Sequence, residues 1–77
     1  MELKIFLFSD TRPPLQDVVQ FLVSHLRGEF ASLCDARAAA KYSAERHDAH
    51  SFRIEDVGTA EIECWGKVGN TWRKLDA

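Results

Sequence analysis

The chain has 77 residues, of which 45% are apolar and 29% are charged, and its formal net charge is −2. A chain this short forms one domain over residues 1–77, because it cannot bury a second hydrophobic core. Its ten Lys and Arg residues are scattered, so the clustered positive charge that holds several phosphates is missing. The composition therefore argues against nucleic acid as the partner.

The two cysteines indicate a reduced, cytoplasmic location. Cys34 and Cys64 have neither the C-x-x-C spacing of a zinc or redox site nor the density of a secreted disulfide scaffold. The amino-terminal apolar run turns polar at Ser9, which is typical of a strand rather than a signal peptide. Nothing approaches the length of a membrane span, so we expect no membrane partner.

Residues 1–8 predict a strand inside a sheet. Apolar side chains occur on both sides of its two-residue period, with Leu3, Ile5 and Leu7 on one side and Phe6 and Phe8 on the other. A strand that is covered on both faces profits from such a pattern, and an edge strand does not.

Two helices are predicted next. For the first, over residues 15–27, Pro13 suits the first turn and Gly28 the end. Its apolar residues recur at helical spacing: Leu15, Val18, Val19, Leu22 and Leu26. Valines weaken a helix, so a strand over residues 18–23 is the alternative.

The second helix begins with Ser32 as its N-cap and Asp35 three residues later, and it runs to about Arg46. Its inward stripe is Leu33, Ala36, Ala40 and Ala44, of which three are alanines. The axis of this helix can therefore lie close to whatever it covers. Lys41 and Glu45 are spaced as an i, i+4 ion pair on the outer side.

The remainder predicts a three-stranded meander. A three-residue loop, Asp56-Val57-Gly58, would pair Phe52 with Ile62 and Ile54 with Ala60. The turn Gly69-Asn70 suits a two-residue hairpin that places Lys67 opposite Trp72 and Trp65 opposite Lys74. The predicted fold is α+β, with one antiparallel or mixed four-stranded sheet in the order strand, helix, helix, three strands, and both helices on one face.

On this register the inner face carries Phe52, Ile54, Ala60, Ile62, Cys64 and Val68. The outer face carries Arg53, Glu55, Glu61, Glu63, Trp65, Lys67, Trp72 and Lys74. Two exposed tryptophans form an apolar patch of the kind that binds a partner. The alternative is a bulge near Gly66 that turns one or both rings inward.

The predicted binding residues are Trp65, Trp72, Glu61, Glu63 and Lys67. Carboxylates beside the rings match a basic protein surface, such as one that normally holds nucleic acid. They argue against stacked bases, which need a positive groove. We therefore expect a protein partner.

The sequence offers no catalytic or metal site and implies no cofactor. His47 and His50 have a ligand-like spacing, but structural zinc needs four ligands with paired thiolates, and Cys34 and Cys64 are isolated. No glycine-rich phosphate loop or nucleophile elbow accompanies Cys34. We expect a protein that is not an enzyme.

The second half of the chain resembles small phage-encoded anti-CRISPR proteins. The resemblance rests on Ala31-Ser32-Leu33 opening an Ala-rich helix, Phe52-Arg53-Ile54, Gly58, the strand from Glu61 to Trp65, and Trp72 after a turn. It implies a non-enzymatic inhibitor that binds a CRISPR effector complex and blocks DNA capture or nuclease recruitment. No binding residue carries over.

Protein binding, including inhibition of a nucleic-acid-handling complex, is thus the predicted function. Two alternatives belong to other classes. One is a nucleic-acid-binding protein that uses Trp65 and Trp72. The other is a structural homodimer with Phe21 or the first strand at its seam.

Overall fold

The computed structural model describes residues 1–9, 22–57 and 61–75. Within these ranges the chain forms five strands and one α-helix. In chain order they are β1 (Glu2–Phe8), β2 (Leu22–Glu29), α1 (Leu33–Arg46), β3 (Ser51–Asp56), β4 (Glu61–Val68) and β5 (Thr71–Leu75).

All five strands belong to one sheet in the spatial order β2-β1-β3-β4-β5. Every neighbouring pair is antiparallel. Because β2 and β3 both run antiparallel to β1, they are parallel to each other, and α1 connects them across β1. The interior position predicted for the first strand is confirmed, so β1 has no open edge that could form a dimer seam.

The predicted four-stranded sheet with two helices is wrong. Residues 22–29, which include the second half of the predicted first helix, form β2, and Gly28 lies within that strand. Leu22 and Leu26 are four residues apart, and this spacing places two side chains on one side of a helix and equally on one side of a strand. Residues 15–21, and most of the alternative strand over 18–23, lie outside the described residues.

The predicted second helix is confirmed as α1. The Ser32 side-chain oxygen accepts a hydrogen bond from the backbone N–H of Asp35 at 3.2 Å. Ala36, Ala40 and Ala44 are fully buried. Because these side chains are so small, the helix axis can approach the sheet closely, and α1 packs across β1 and β3.

The helix ends in a hydrogen-bonding pattern that is usually built with glycine. Asp48 has a φ of 56°, in the left-handed region. Its N–H donates to Glu45 O at 3.4 Å, and Ala49 N–H donates to Ala44 O at 2.8 Å. These two bonds form a Schellman motif, and buried Ala49 packs in the core that Ala44 also joins.

The core lies between α1 and the centre of the sheet. Its largest members are fully buried: Leu3, Ile5, Leu7, Phe52 and Ile54. The opposite face of the sheet also contains buried side chains, among them Phe8 and Arg53. The Arg53 guanidinium lies 5.7 Å from the ring centre of Phe8, and its Nε is 2.8 Å from Glu55 Oε2.

The β4–β5 hairpin has the predicted register. Lys67 lies opposite Trp72, Trp65 lies opposite Lys74, and Gly69 has a φ of 64° in the two-residue turn. The prediction for this hairpin is confirmed.

The predicted register between β3 and β4 is wrong. Phe52 lies opposite Trp65 and Ile54 opposite Glu63, and the register shifts between Ile54 and Glu55. From Glu63 onward the pairing differs from the predicted one by an odd number of residues, so these β4 side chains change face. Glu63, Trp65 and Lys67 therefore share the helix-covered face, whereas Cys64 and Val68 lie on the other.

Candidate functional site

Three side chains of α1 contact three side chains of β4 in matched order, in an arrangement we call the helix–hairpin ladder. Its rungs are Arg37 with Glu63, Lys41 with Trp65, and Glu45 with Lys67. Four residues advance a helix by about 6 Å, and two residues advance a strand by about 6.6 Å. The two spacings nearly agree, so successive rungs stay in step.

The first rung is a two-point ion pair. Arg37 donates from Nε to Glu63 Oε1 at 2.6 Å and from Nη2 to Oε2 at 3.0 Å. The indole N–H of Trp65 donates to the same Oε1 at 2.7 Å. Lys74 of β5 has its Nζ 3.8 Å from Oε2. Glu63 is thus the centre of a network joining the helix to the hairpin.

The Glu63 carboxylate is buried but charged. Burial raises its pKa, while the hydrogen bonds from Arg37 and Trp65 and the positive charges of Arg37 and Lys74 lower it. The lowering effects are larger together, so the pKa of Glu63 lies below its ordinary value. The side chain is only 1% exposed, so this carboxylate is not available to a partner.

The side chains of the other two rungs also contact each other, so they hold α1 and the hairpin together. Lys41 Nζ lies 4.7 Å from the ring centre of Trp65. Lys67 Nζ donates to Glu45 at 3.2 Å, and the indole N–H of Trp72 donates to the same carboxylate at 3.4 Å. These hydrogen bonds lower the pKa of Glu45.

The expectation that both tryptophans stand on a polar outer face is wrong. Trp65 and Trp72 are half-buried on the helix side, with ring centres 6.2 and 5.2 Å from that of Phe52. The bulge proposed near Gly66 is not the cause, because the rings turn inward through the β3–β4 register. Glu61 lies opposite Glu55 in the sheet, and its side chain lies outside the described part of the structure.

Four of the five predicted binding residues therefore come together, but in a packing arrangement. Glu63, Trp65, Lys67 and Trp72 fix the hairpin to α1. The acidic surface expected to meet a basic partner is not formed by Glu63. A different feature of the sheet remains open to a partner, and it lies at the opposite end.

The two edge strands of the sheet, β2 and β5, differ in length and protection. β5 has five residues, including Arg73 and Lys74 side by side. Short strands and charged side chains, especially lysine, discourage the addition of another strand. β2 has eight residues with neither lysine nor proline.

The hydrogen bonds between β1 and the chain around β2 show which N–H and C=O groups of β2 point away from the sheet. Met1 N donates to Phe30 O and Phe30 N donates to Met1 O, both at 2.9 Å. Since bonded and non-bonded pairs alternate in an antiparallel ladder, Ser24, Leu26 and Gly28 bond to β1. The register shifts at Val23, because Leu7 lies opposite Ser24 and Phe8 lies opposite Leu22, so the alternation ends there. His25, Arg27 and Glu29 point their N–H and C=O away from the sheet, and we call this row of three residues the β2 edge.

The same reasoning leaves fewer open groups on β5. Lys67 N donates to His50 O at 2.8 Å, so the odd-numbered residues of β4 bond toward β3 and the even-numbered ones toward β5. Within β5, Trp72 and Lys74 therefore point their backbone groups outward. The β2 edge has three outward residues, one more than β5.

The β2 edge is exposed. The side chains of β2 alternate between half-buried and exposed, and the three outward residues are all exposed. Val23, next to this row, is 42% exposed. His25 stacks on Phe6 at 6.2 Å, and Arg27 Nε donates to Glu2 at 2.8 Å. Among the described residues, no hydrogen bond engages the outward backbone groups of this row.

Sequence reasoning missed the β2 edge because it assigned residues 22–27 to a helix. One pattern could have revealed it. Val23, His25, Arg27 and Glu29 alternate with Leu22, Ser24, Leu26 and Gly28, which is a two-residue period with apolar or small residues on one side.

The histidines and cysteines are dispersed. No group of three or more His, Cys, Asp or Glu side chains suited to a metal ion occurs among the described residues. His47 is the C-cap of α1, and His50 Nδ1 lies 3.2 Å from the Ser9 carbonyl oxygen. In the ranges that the structure describes, no helix is long and apolar enough to cross a membrane.

Comparisons with protein-family models, curated proteins and solved structures found no match to this chain. The similarity to small anti-CRISPR proteins therefore stays a prediction.

Proposed function

We propose that this chain is a non-enzymatic protein-binding module and that it binds through the β2 edge. An extended segment of another polypeptide would add there as a sixth strand. The observation that carries this proposal is the row of three outward residues on an eight-residue edge strand without lysine or proline. Strand addition to such an edge is a recurrent mode of peptide recognition.

The backbone supplies the affinity in this mode. Three outward residues offer three N–H donors and three C=O acceptors in one line. Each hydrogen bond contributes about 0.5–1.5 kcal/mol net once water has been displaced. Several such bonds together give useful affinity without a deep pocket, and the alternating side chains select the partner.

The side chains of the β2 edge set the chemistry of that selection. Glu29 has a side chain that is 76% exposed, and its carboxylate lies 3.6 Å from the Met1 amino group. Arg27 is 54% exposed and already neutralised by Glu2. Beside the row, Val23 is 42% exposed and apolar. We therefore expect an extended segment with polar residues opposite Arg27 and Glu29 and an apolar residue near Val23.

A pair of proline variants tests the proposal. Proline at His25 removes an outward N–H, which is the position where an edge strand tolerates proline. Lys74→Pro makes the same change on the edge of β5 and serves as the matched control. His25→Ala separates the backbone effect from the loss of the imidazole ring.

Affinity capture from the native host should recover the same protein with the wild type, Lys74→Pro and His25→Ala, and lose it with His25→Pro. The recovered protein is then purified and mixed with the wild type. Amide hydrogen exchange should slow at the three β2-edge residues, whereas Ser24, Leu26 and Gly28 should be protected with and without partner.

Unchanged capture by His25→Pro, or loss with Lys74→Pro alone, would contradict binding at β2. Recovery of nucleic acid in place of a protein would contradict the protein-binding function itself. The resemblance to anti-CRISPR proteins indicates which partner to test first, namely a purified CRISPR effector complex.

A further inference from the structure

We infer that a second binding surface lies on the helix–hairpin ladder, where Arg37, Lys41 and Lys74 lie around Trp65, and that it binds the carboxylates of an acidic segment of a partner protein. We call these three basic residues the cationic cluster. The inference does not depend on the β2 edge, which lies at the other end of the sheet. The observation behind it is positive charge that no carboxylate among the described residues neutralises.

The charges around Glu63 do not balance. Among the described residues, Glu63 is the only carboxylate that forms an ion pair with the cationic cluster. Arg37 bonds to both of its oxygens, at 2.6 Å and 3.0 Å. Lys74 Nζ lies 3.8 Å from Oε2, the oxygen that Arg37 Nη2 already contacts. Because Arg37 alone supplies one full positive charge to this carboxylate, the charge of Lys74 is in excess.

Lys41 adds a second excess charge. Its spacing from Glu45 suits an i, i+4 ion pair, but Glu45 accepts hydrogen bonds from Lys67 and Trp72 instead. Lys41 Nζ lies 4.7 Å from the ring centre of Trp65, and that ring has no net charge. Within the described ranges, Lys41 forms no ion pair. Three positive groups thus share one buried carboxylate, in a chain whose formal net charge is −2.

The cationic cluster is accessible and held in place. The side chain of Lys74 is 57% exposed and that of Arg37 is 34% exposed. The two-point bond of Arg37 to Glu63 and the contact of Lys41 with Trp65 restrict both side chains before a partner arrives. Binding then costs less conformational entropy. The half-buried indole also lowers the local dielectric constant, which strengthens the attraction of an anion.

Carboxylates suit this surface better than nucleic acid does. A single-strand binding site needs a positive groove that follows the backbone and aromatic rings on which bases can stack. The Trp65 ring is already stacked on Phe52, with 14° between the ring planes, and Lys41 lies over it as well. Both contacts occupy ring surface that a base would need. The basic groups gather around one ring and do not form a line, so they match one or two carboxylates of an acidic segment.

A titration with three short probes tests the inference. Isotope-labelled protein is mixed with hexaglutamate, hexalysine or hexathymidylate in about 0.15 M salt, where the Debye length of about 8 Å screens distant charges. Because the indole N–H of Trp65 donates to Glu63, its NMR signal reports on the cluster. Hexaglutamate should shift this signal and the Nε–H signal of Arg37. Hexalysine and hexathymidylate should shift neither.

Paired variants locate the binding surface. Lys41→Gln combined with Lys74→Gln removes both excess charges and should weaken hexaglutamate binding at least about threefold, the effect of two surface ion pairs. Arg46→Gln combined with Arg73→Gln is the matched control. It removes the same net charge, but Arg46 contacts Tyr42, and Arg73, opposite Gly66, projects from the other face of the sheet. The control should change the affinity less than about twofold.

Two further variants separate charge from folding. Lys41→Arg combined with Lys74→Arg keeps both charges and should retain binding. Lys74→Gln alone replaces the double variant if circular dichroism shows the latter to be unfolded, since the Lys74 side chain is 57% exposed.

The inference is overturned if millimolar hexaglutamate leaves the Trp65 indole signal unchanged, or if the two glutamine pairs weaken binding equally. Tighter binding of hexathymidylate than of hexaglutamate at these residues would also overturn it, because the surface would then suit nucleic acid. The proposed function fails separately, since capture at the β2 edge depends on His25→Pro and these titrations do not.

Discussion

Replacing Glu63 with glutamine removes the charge at the centre of the helix–hairpin ladder while keeping the shape of the side chain. Glu63 accepts two hydrogen bonds from Arg37 and one from Trp65. Glutamine retains one carbonyl oxygen for these donors. Its amide nitrogen, however, takes the place of the second acceptor and faces the guanidinium of Arg37.

The expected loss follows from the burial of the two partners. A hydrogen bond to a charged group contributes about 1.5–3 kcal/mol, and breaking a fully buried pair costs more. Arg37 is 34% exposed, so water can solvate the guanidinium once the carboxylate is gone. We therefore expect Glu63→Gln to lower the free energy of unfolding by about 1.5–2 kcal/mol at pH 7.

The loss should depend on pH in a defined direction. The folded-state pKa of Glu63 lies below its ordinary value, so its stabilising contribution is fully present above the unfolded pKa of about 4.3. It disappears as the pH falls through the lower folded-state pKa. The difference in stability between the wild type and Glu63→Gln should therefore shrink as the pH falls below about 4.

Urea unfolding followed by circular dichroism, at pH 7 and at a series of acidic pH values, measures this difference. Glu45→Gln is the matched control, because Glu45 also accepts bonds from a lysine and a tryptophan but is 55% exposed. Its loss should be smaller. The reasoning is refuted if Glu63→Gln is as stable as the wild type, or if its deficit is the same at every pH.

Three further predictions concern packing and backbone geometry. Asp48→Gly should raise the free energy of unfolding by about 0.5–1 kcal/mol and Asp48→Ala should lower it, because Asp48 occupies the left-handed position of the Schellman motif; thermal unfolding of both variants checks the sign. Ala40→Leu should destabilise by at least about 1–3 kcal/mol through overpacking. The same change at exposed Ala38 should stay within about 0.5 kcal/mol in urea unfolding. The buried Ser51 Oγ has no hydrogen-bond partner among the described residues. Ser51→Ala should therefore raise the free energy of unfolding, measured in urea, by about 1 kcal/mol. A lower free energy of unfolding would show that the hydroxyl has a hydrogen-bond partner.

In the candidate site, the sequence predicted which residues lie close together but not the face of the sheet on which they lie. The residues predicted to bind a partner include Glu63, Trp65, Lys67 and Trp72, and these four lie close together because their spacing on the last hairpin is local. The predicted face is wrong, since the face depends on the β3–β4 register. The register shifts by one residue at the bulge beside Ile54. This shift places Glu63 and the tryptophan rings on the helix-covered face, where they pack against α1, and not on an exposed outer face.

The sequence by itself determined the features that depend on residues close along the chain. Ser32 and Asp35 specify the start of α1, its alanine stripe specifies the buried side, and Gly69-Asn70 specifies the last turn. In each case the interacting groups are within a few residues, so local chemistry is sufficient.

Only the tertiary structure decided the state of β2 and the register of β4. The four-residue spacing of Leu22 and Leu26 suits a helix and a strand equally, and pairing with β1 selects the strand because Leu26 then lies opposite Ile5 on the core face. That long-range choice also creates the open β2 edge. The proposed binding surface is thus a product of how the strands assemble, since no local segment encodes an edge.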